Sequence, residues 1–326
     1  MSPRHRILIT GGAGFLGSYL CEQLLALGHA VTAFDMTDGR KIEHLMGKPN
    51  FEFIQDSILN VEALTAAVQE ADLLFHFAAI ADPKRYVQEP LVTLDIDLQG
   101  SLNIFKVAAR HKIKVIFAST SEVYGRNPNV PWREGDDRLL GATEVNRWCY
   151  ASAKAACEHY VMAYHQQMGL PFVILRFFNV YGPRLDDLGS GRVIPVLLNQ
   201  LLRGEPVTIH GDGQQTRSFA YVDDVVDGIL RVALRREAEN QIFNIGSAQD
   251  IAIVDLAKML IAVGGFRSAI TFVPYIEVFG TRYEDIPRRL PDVSKIKRVV
   301  GWEATTLLKE GLLRTINYYR NTTQPV

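Results

Sequence analysis

The chain is poor in the features that mark membrane-spanning, nucleic-acid-binding or disulfide-built proteins. No apolar run approaches the roughly eighteen residues of a membrane span. Lys and Arg together number 35 against 36 Asp and Glu, for a net charge of -1, and no lysine-rich or acidic block stands out. Nucleic acid is therefore not expected as a partner. The three cysteines, Cys21, Cys149 and Cys157, are odd in number and lack metal-ligand spacing, so they read as packed thiols, with neither a disulfide framework nor a metal centre expected. Met1-Ser2-Pro3-Arg4-His5-Arg6 leads into a strand and not into an apolar signal segment, which predicts a cytoplasmic protein. There is no internal repeat and no low-complexity linker. The 326 residues exceed one ordinary core, which predicts one large domain or a large one with a small companion.

What is present begins at the N-terminus. Residues 7–10 form a short apolar run that enters Gly11-Gly12-Ala13-Gly14-Phe15-Leu16-Gly17 and then an amphipathic stretch to Leu27. This reads as strand, glycine turn and helix. The spacing of Gly11, Gly14 and Gly17 suits a tight turn, close approach of backbone to a pyrophosphate at a helix N-terminus, and close packing of helix on strand. A second strand over 30–34 ends in Asp35, whose carboxylate accepts from an adenosine ribose and repels a 2′-phosphate, so NAD is expected over NADP. Arg40 and Lys41 nearby weaken that preference slightly. Asp56, after the apolar run 51–54, is placed to hold the adenine, although a lone loop aspartate is more often a helix cap.

Farther along, Ser119-Thr120-Ser121-Glu122-Val123-Tyr124-Gly125 is followed by Tyr150-Ala151-Ser152-Ala153-Lys154. A hydroxyl, a carboxylate, a phenol and an ammonium can thus share one site. Tyr150 and Lys154 are four residues apart and lie on one helix face, where the ammonium is expected to lower the phenol from its usual value of about 10. A deprotonated Tyr150 can take the proton of a sugar hydroxyl whose carbon gives hydride to a nicotinamide. Alone, Tyr-x-x-x-Lys is a common chance match. Its weight comes from the dinucleotide motif that precedes it.

Strands and helices alternate through the first part of the chain. Residues 73–77 read as a buried strand running into Ala78-Ala79, 90–111 as one helix, 115–118 as the strand that delivers Ser119 to Glu122, and 172–175 as a strand after the Tyr150 helix. This predicts an α/β fold with a doubly wound parallel sheet and right-handed crossovers. After 176 the pattern loosens: residues 177–184 and the glycine-rich 186–192 read as loop. Strand signals return at 207–209 and 241–245, with helices ending near Leu234 and over 254–263 and 307–319.

Gly-Gly-Ala-Gly-Phe-Leu-Gly, Ser-Thr-Ser-Glu-Val-Tyr-Gly, Tyr-x-x-x-Lys, Phe178-Asn179-Val180-Tyr181-Gly182-Pro183-Arg184 and Gly211-Asp212-Gly213-Gln214-Gln215-Thr216-Arg217-Ser218-Phe219, in this order, resemble the extended short-chain dehydrogenase/reductases that act on nucleotide sugars. The likeness covers nearly the whole chain. Within that family, Arg147-Trp148-Cys149-Tyr150, the aspartate of Leu94-Asp95-Ile96-Asp97, and Phe279-Gly280-Thr281-Arg282-Tyr283-Glu284-Asp285 before Arg288-Arg289 resemble the UDP-glucuronate decarboxylase module of the bacterial aminoarabinose pathway. Gly191-Arg192-Val193-Ile194 and Arg289-Leu290-Pro291-Asp292 are similar to UDP-xylose synthases. Those synthases usually carry Asp-Glu-Gly where this chain has Ala151-Ser152-Ala153, so the match is partial.

The resemblance implies an NAD-binding Rossmann domain over 1–180 with about 220–246, and a smaller mixed α/β sugar-nucleotide-binding domain over 181–219 and 247–326. It implies NAD held by Gly11, Gly14, Phe15, Leu16, Gly17, Asp35, Asp56, Ala78, Ala79, Tyr150 and Lys154. Tyr150 is then the base, Thr120 holds the C4 oxygen, Lys154 orients the ribose, and Glu122 with Arg289 forms an acid/base pair at C5. Ala81, Tyr86, Ser121, Arg147, Asn179, Arg192, Arg217 and Tyr283 fall at positions near a UDP-sugar, with an arginine fork suited to its diphosphate. A homodimer built from two helices of each subunit is also implied. A 4-epimerase shares Tyr150 and NAD but usually has a small residue at Glu122, and a 4,6-dehydratase commonly has an aspartate at Ser121. A non-catalytic NAD-binding sensor on this fold would be marked by loss of Tyr150 or Lys154, and both are present.

Overall fold

The structure, a computed structural model, describes residues 4–185, 188, 191–279 and 284–322. Its centre is a seven-stranded, wholly parallel sheet. Strands β1 (Arg6–Thr10), β2 (Ala30–Asp35), β3 (Phe51–Gln55), β4 (Leu73–His76), β5 (Lys114–Thr120) and β6 (Phe172–Phe177) are joined by a last strand, Gln241–Ile245, which pairs with β6 at the edge. The order is β3, β2, β1, β4, β5, β6 and then Gln241–Ile245. Progression reverses between β1 and β4, so the C-terminal ends of these two strands open into the crevice where such sheets hold ligands.

The strands are apolar on both faces because helices cover both. Ile7 and Ile9 point into one core with Phe75, Ile116, Leu20, Leu24 and Ile229, while Leu8, between them in sequence, points into the other with Phe34, Leu74, Phe117, Ile104 and Phe105. Two glycines make the β1 turn possible. Gly11 has φ of 74°, and a side chain there would meet the Ala78 amide; a Cβ at Gly17 would lie 2.0 Å from the Gly11 carbonyl oxygen.

The stretch read as a single helix over 90–111 is interrupted. It is α-helical at Pro90–Leu94, π-helical at Asp95–Gly100 and α-helical again at Ser101–His111. A wider turn keeps nearly the same apolar spacing, so the pattern did not betray it. The Tyr150 helix spans Trp148–Met168. Beyond the main sheet, Val180–Tyr181, inside the segment read as loop, pairs with Ala220–Tyr221, and Val207–His210 pairs with Ile270–Val273. A three-stranded sheet sets Thr216–Ser218 between Asp250–Ala252 and Arg288–Arg289. Its register places Arg289 opposite Arg217. Like charges in register repel, so this pair needs carboxylates beside it.

Candidate active site

Strand β5 ends in Thr120, whose hydroxyl oxygen accepts the Glu122 N–H at 3.2 Å and so starts a tight turn, Ser121–Tyr124, at the mouth of the crevice. The strand end is fixed from below. Ser119 donates to Glu158 Oε1 at 2.5 Å, and Arg176 grips the same carboxylate through Nε at 2.9 Å and Nη2 at 2.6 Å. The Tyr124 hydroxyl donates to Asn244 Oδ1 at 2.7 Å. These buried bonds leave Thr120, Ser121 and Glu122 little freedom.

Tyr150 stands in the first turn of its helix and is buried. The Thr120 hydroxyl lies near enough to its phenol to favour the ionised form, and Tyr86 lies flat against its ring, with centroids 5.2 Å apart and planes 6° from parallel. The expected tuning by Lys154 is not what the structure shows. The Lys154 ammonium donates to the Ala118 carbonyl at 3.1 Å and sits over the Phe117 ring. Burial, followed by the Asp97 and Glu122 charges, outweighs the opposing effects of Arg192 and Thr120 and holds the Tyr150 phenol well above its ordinary range.

Around Glu122 lies a buried charge cluster that brings together five residues from distant parts of the chain. Glu122 Oε1 is paired with Arg289 Nη1, and Oε2 with Arg147 Nη2 at 3.2 Å. Asp285 accepts from Arg217 Nη2 at 2.8 Å, from the Tyr275 hydroxyl at 2.9 Å and from the Ile286 N–H at 2.8 Å, with Arg147 Nη1 3.8 Å away. Among the described residues, three guanidiniums thus meet two carboxylates, with one positive charge in excess. Burial alone would raise Glu122, but Arg289, Arg147 and Arg217 together hold it below its ordinary value. The same arginines lower Asp285 against its burial. Burial and the facing Arg289 pull Arg217 down to about 10. Arg289 Nε is buried with no hydrogen-bond partner among the described residues. Glu122 is thus a carboxylate held between two arginines, which it orients.

On the other side of the crevice, the helix Phe15–Ala26 begins at Gly14 with no side-chain cap, so its first amides, including those of Leu16 and Gly17, face the turn. Asp35 accepts the Ala13 N–H at 3.0 Å and both the N–H and hydroxyl of Thr37, which ties the end of β2 to the glycine turn. Arg40 is engaged by Asp38 at 2.9 Å on the surface. Ala78 and Ala79 follow β4 directly across from Gly11. Asp56 accepts from Ser57 N–H and Asn60 Nδ2 and so organises the turn before helix Val61–Gln69. An uncapped helix start, a cradle that a Cβ would fill and an acid at the end of β2 fit a dinucleotide.

The remaining expected residues fall around this crevice. Arg192 donates to the Ala81 carbonyl at 3.1 Å and acts on Tyr150, and Asn179 donates to the Ser218 carbonyl at 2.9 Å. Arg217, expected to grip a diphosphate, is committed to Asp285 and shares the Glu122 cluster. Tyr283 lies outside the described residues. Asp285, Tyr275 and Asp97 were assigned no role from sequence. Asp285 and Asp97 stood inside recognised motifs, but only their packing shows what they touch. Among the described residues no group of three or more His, Cys, Asp or Glu could hold a metal ion, and no helix is long and apolar enough to cross a membrane.

Comparison with known proteins agrees with this geometry. The chain is 39% identical over 318 residues to a UDP-N-acetyl-alpha-D-glucosaminuronate decarboxylase of Bacillus cytotoxicus, covering 97% of this chain and 98% of that one. It is 38% identical to UDP-glucuronic acid decarboxylase 1 of Xenopus tropicalis, covering 97% and 72%. Among solved structures, a UDP-glucose 4-epimerase of Thermotoga maritima with UDP-glucose superposes with a TM-score of 0.88 at 32% identity, covering 98% and 100%. A UDP-glucuronic acid 4-epimerase of Bacillus cereus in complex with UDP-glucuronic acid and NAD superposes with a TM-score of 0.87 at 27% identity, covering 97% and 99%. Residues 7–246 match the NAD dependent epimerase/dehydratase family, and with a fold, a glycine turn and an Asp35 that suit its coenzyme, the chain is an NAD-dependent member of that family.

Proposed function

We propose that this enzyme decarboxylates UDP-glucuronate by oxidising C4, giving a UDP-4-keto-pentose, UDP-xylose or both. The observation that carries the reading is the Glu122 cluster: one surplus positive charge, buried close to Tyr150 and Thr120, matches a sugar that brings a carboxylate. A dehydratase of a neutral hexose has no need of it; a 4-epimerase of a uronate would share it, and loss of carbon dioxide is what separates the two.

NAD, when bound, supplies the acceptor for hydride from C4. Tyr150 takes the C4 hydroxyl proton while Thr120 holds that oxygen, and Thr120 and Arg192 favour the phenolate. Lys154 would orient the ribose of the bound coenzyme in this reading. The 4-ketone makes the C5 carboxylate a β-keto acid. The bond from C5 to the carboxylate carbon breaks, its electron pair moves into an enolate on the C4 oxygen, carbon dioxide leaves, and C5 then takes up a proton from solvent. Arg289, held by Glu122, positions the departing carboxylate, and Arg147 closes the other side of Glu122. UDP-xylose would be the product were the hydride returned to C4, and the ketone the product were the sugar nucleotide released first.

Tyr86, Ala81, Ser121, Asn179, Arg192 and Arg217 line the sugar-nucleotide side in this reading, and residues 181–219 with 247–326 form the domain that binds it. The protein works as a cytoplasmic homodimer. The Bacillus cytotoxicus relative favours a second reading, in which C2 of the uronate bears an acetamido group. Incubation with NAD and each of UDP-glucuronate, UDP-N-acetylglucosaminuronate, UDP-glucose and dTDP-glucose, followed by mass analysis, tests both. Loss of carbon dioxide from a uronate is expected; unchanged mass with a new sugar configuration, or water loss from a hexose, would refute decarboxylation.

A further inference from the structure

The last residue of the motif at 178–184 has no part in the chemistry above. Arg184 has φ of 64°, in the left-handed region that an arginine seldom adopts, so its surroundings must hold it there. Its side chain is gripped from several directions. Nη1 and Nη2 donate to the two carboxylate oxygens of Glu22 at 2.6 and 3.1 Å, Nη1 also reaches Ser18 Oγ at 3.4 Å, and the guanidinium lies over the Tyr19 ring, 3.9 Å from its centroid. The Tyr19 hydroxyl in turn donates to the Pro183 carbonyl at 3.1 Å. Burial opposes the Arg184 charge, but Glu22 and Tyr19 more than offset it and raise the guanidinium above its ordinary value.

These contacts land on the helix Phe15–Ala26, whose start faces the glycine turn. Tyr19 meets Phe15 edge-on, with centroids 6.0 Å apart and planes at 87°, and Ser18 donates to the Phe15 carbonyl at 2.9 Å. Phe15, Ser18, Tyr19 and Glu22 follow at helical spacing and share one face. Contacts therefore run unbroken from Arg184 to the first residue of the helix, beside the amides that suit a pyrophosphate. Glu22 Oε1 also has His44 Nε2 at 2.6 Å, from the turn Arg40–Leu45 that follows Asp35.

Arg184 itself stands where the chain has left β6, in the segment that carries Asn179 and leads to Arg192. One guanidinium thus ties the glycine-turn side of the crevice to the side proposed to take the sugar nucleotide. The paired side chains are only 17% and 27% exposed, so water and salt weaken this bidentate pair less than they would a surface one.

We propose that Arg184 is a positioning residue for the coenzyme: by clasping Ser18, Tyr19 and Glu22 it fixes the start of the Phe15–Ala26 helix and sets how long NADH stays bound after oxidation at C4. The consequence for the reaction is a choice of product. A long stay permits return of the hydride to C4 and gives UDP-xylose, whereas a short one leaves the 4-ketone; in this respect the proposal rests on decarboxylation through C4 oxidation.

The test follows release of NADH from the protein by its fluorescence, with excess NAD as chase and no sugar present. Wild type is compared with Arg184→Met, Arg184→Lys, Glu22→Gln and the double variant Arg184→Met with Glu22→Gln. Arg184→Met and Glu22→Gln should each release NADH about fivefold faster or more, the double variant should be no faster than the faster single one, and Arg184→Lys should recover part of the loss. Affinity for UDP, measured by calorimetry, should stay within about twofold of wild type, which a general loosening of the fold would not allow. With UDP-glucuronate, the ratio of ketone to UDP-xylose should rise in Arg184→Met. If Arg184→Met does not fold, Arg184→Lys and Glu22→Gln carry the comparison. NADH release within about twofold of wild type in these variants, or faster release matched by an equal loss of UDP affinity, would overturn the role of Arg184. A wild type that decarboxylates no UDP-uronate would overturn the functional reading instead, and the NADH measurement, made without sugar, judges Arg184 independently of it.

Discussion

Tyr86 and Tyr150 form a parallel stack, rings 5.2 Å apart, and the backbone carbonyl of Tyr86 also accepts from the thiol of Cys149, the residue before Tyr150. The phenol proposed to do the chemistry is therefore held in orientation by a residue from the short helix Pro83–Gln88. Such a stack contributes about 0.5 to 1.5 kcal/mol beyond area burial.

Replacing Tyr86 separates orientation from proton transfer. Tyr86→Phe keeps the stack and should retain kcat within about threefold, while Tyr86→Ala should lose about tenfold or more. Tyr150→Phe should abolish C4 oxidation and leave sugar-nucleotide binding nearly intact. Turnover assays with isothermal titration check all three. Equal kcat in Tyr86→Ala and wild type would show that the stack orients nothing.

The Glu122 cluster predicts a pH-dependent cost. Glu122→Gln leaves three arginines sharing one carboxylate and should destabilise by about 3 to 5 kcal/mol at neutral pH. Because Glu122 is lowered in the fold, its contribution is present above the unfolded value of 4.5 and fades as pH falls through the lower folded one. Denaturant unfolding of the two proteins should therefore converge in acid. Arg289→Ala should retain sugar-nucleotide binding through the diphosphate and lose decarboxylation disproportionately.

His76 should govern part of the acid sensitivity of the fold. It is fully buried, and burial, reinforced by Lys154, keeps it neutral well below its ordinary value of 6.5. The unfolded chain takes up that proton first, so stability should fall as pH drops below about 6.5. His76→Asn loses the Thr10 and Ser101 bonds and should be less stable than wild type at neutral pH, with the gap narrowing toward about pH 5. A gap independent of pH would mean that His76 does not titrate on unfolding.

Much of this architecture was legible in the sequence because parallel strands buried on both faces write themselves as short apolar runs. Those at residues 7–10, 73–77 and 241–245 are examples, and all three end in the sheet. The glycine turn was equally plain, since Gly11 and Gly17 have no room for a side chain. The π turn at Asp95–Gly100 was not, as a change in hydrogen-bond step alters no composition. The Arg217 to Arg289 register was hidden too, because it depends on strands of three and two residues that carry no periodicity. Helical spacing put Lys154 on the face of Tyr150, but it could not show that the Ala118 carbonyl would claim the ammonium.

Association is predicted from exposed apolar residues on two helices. Leu91 is 75% exposed and Val92 44%, on the Pro90–Leu94 helix, and Tyr160 is 45% exposed on the Trp148–Met168 helix. Isolated exposed apolar residues are ordinary, but these lie on the two helices expected to meet across a dyad. Sedimentation at micromolar concentration should give a dimer, and Leu91→Asp should shift it toward monomer. A monomeric wild type would contradict the assignment.

The central claim is that the carboxylate beside Arg289 is lost as carbon dioxide after oxidation at C4. UDP-glucuronate carrying labelled carbon in its carboxylate, incubated with NAD and the enzyme, measures this directly. Labelled carbon dioxide should appear in step with a UDP-pentose, and not at all with Tyr150→Phe. Turnover of the uronate with all label retained on the sugar nucleotide would contradict the account.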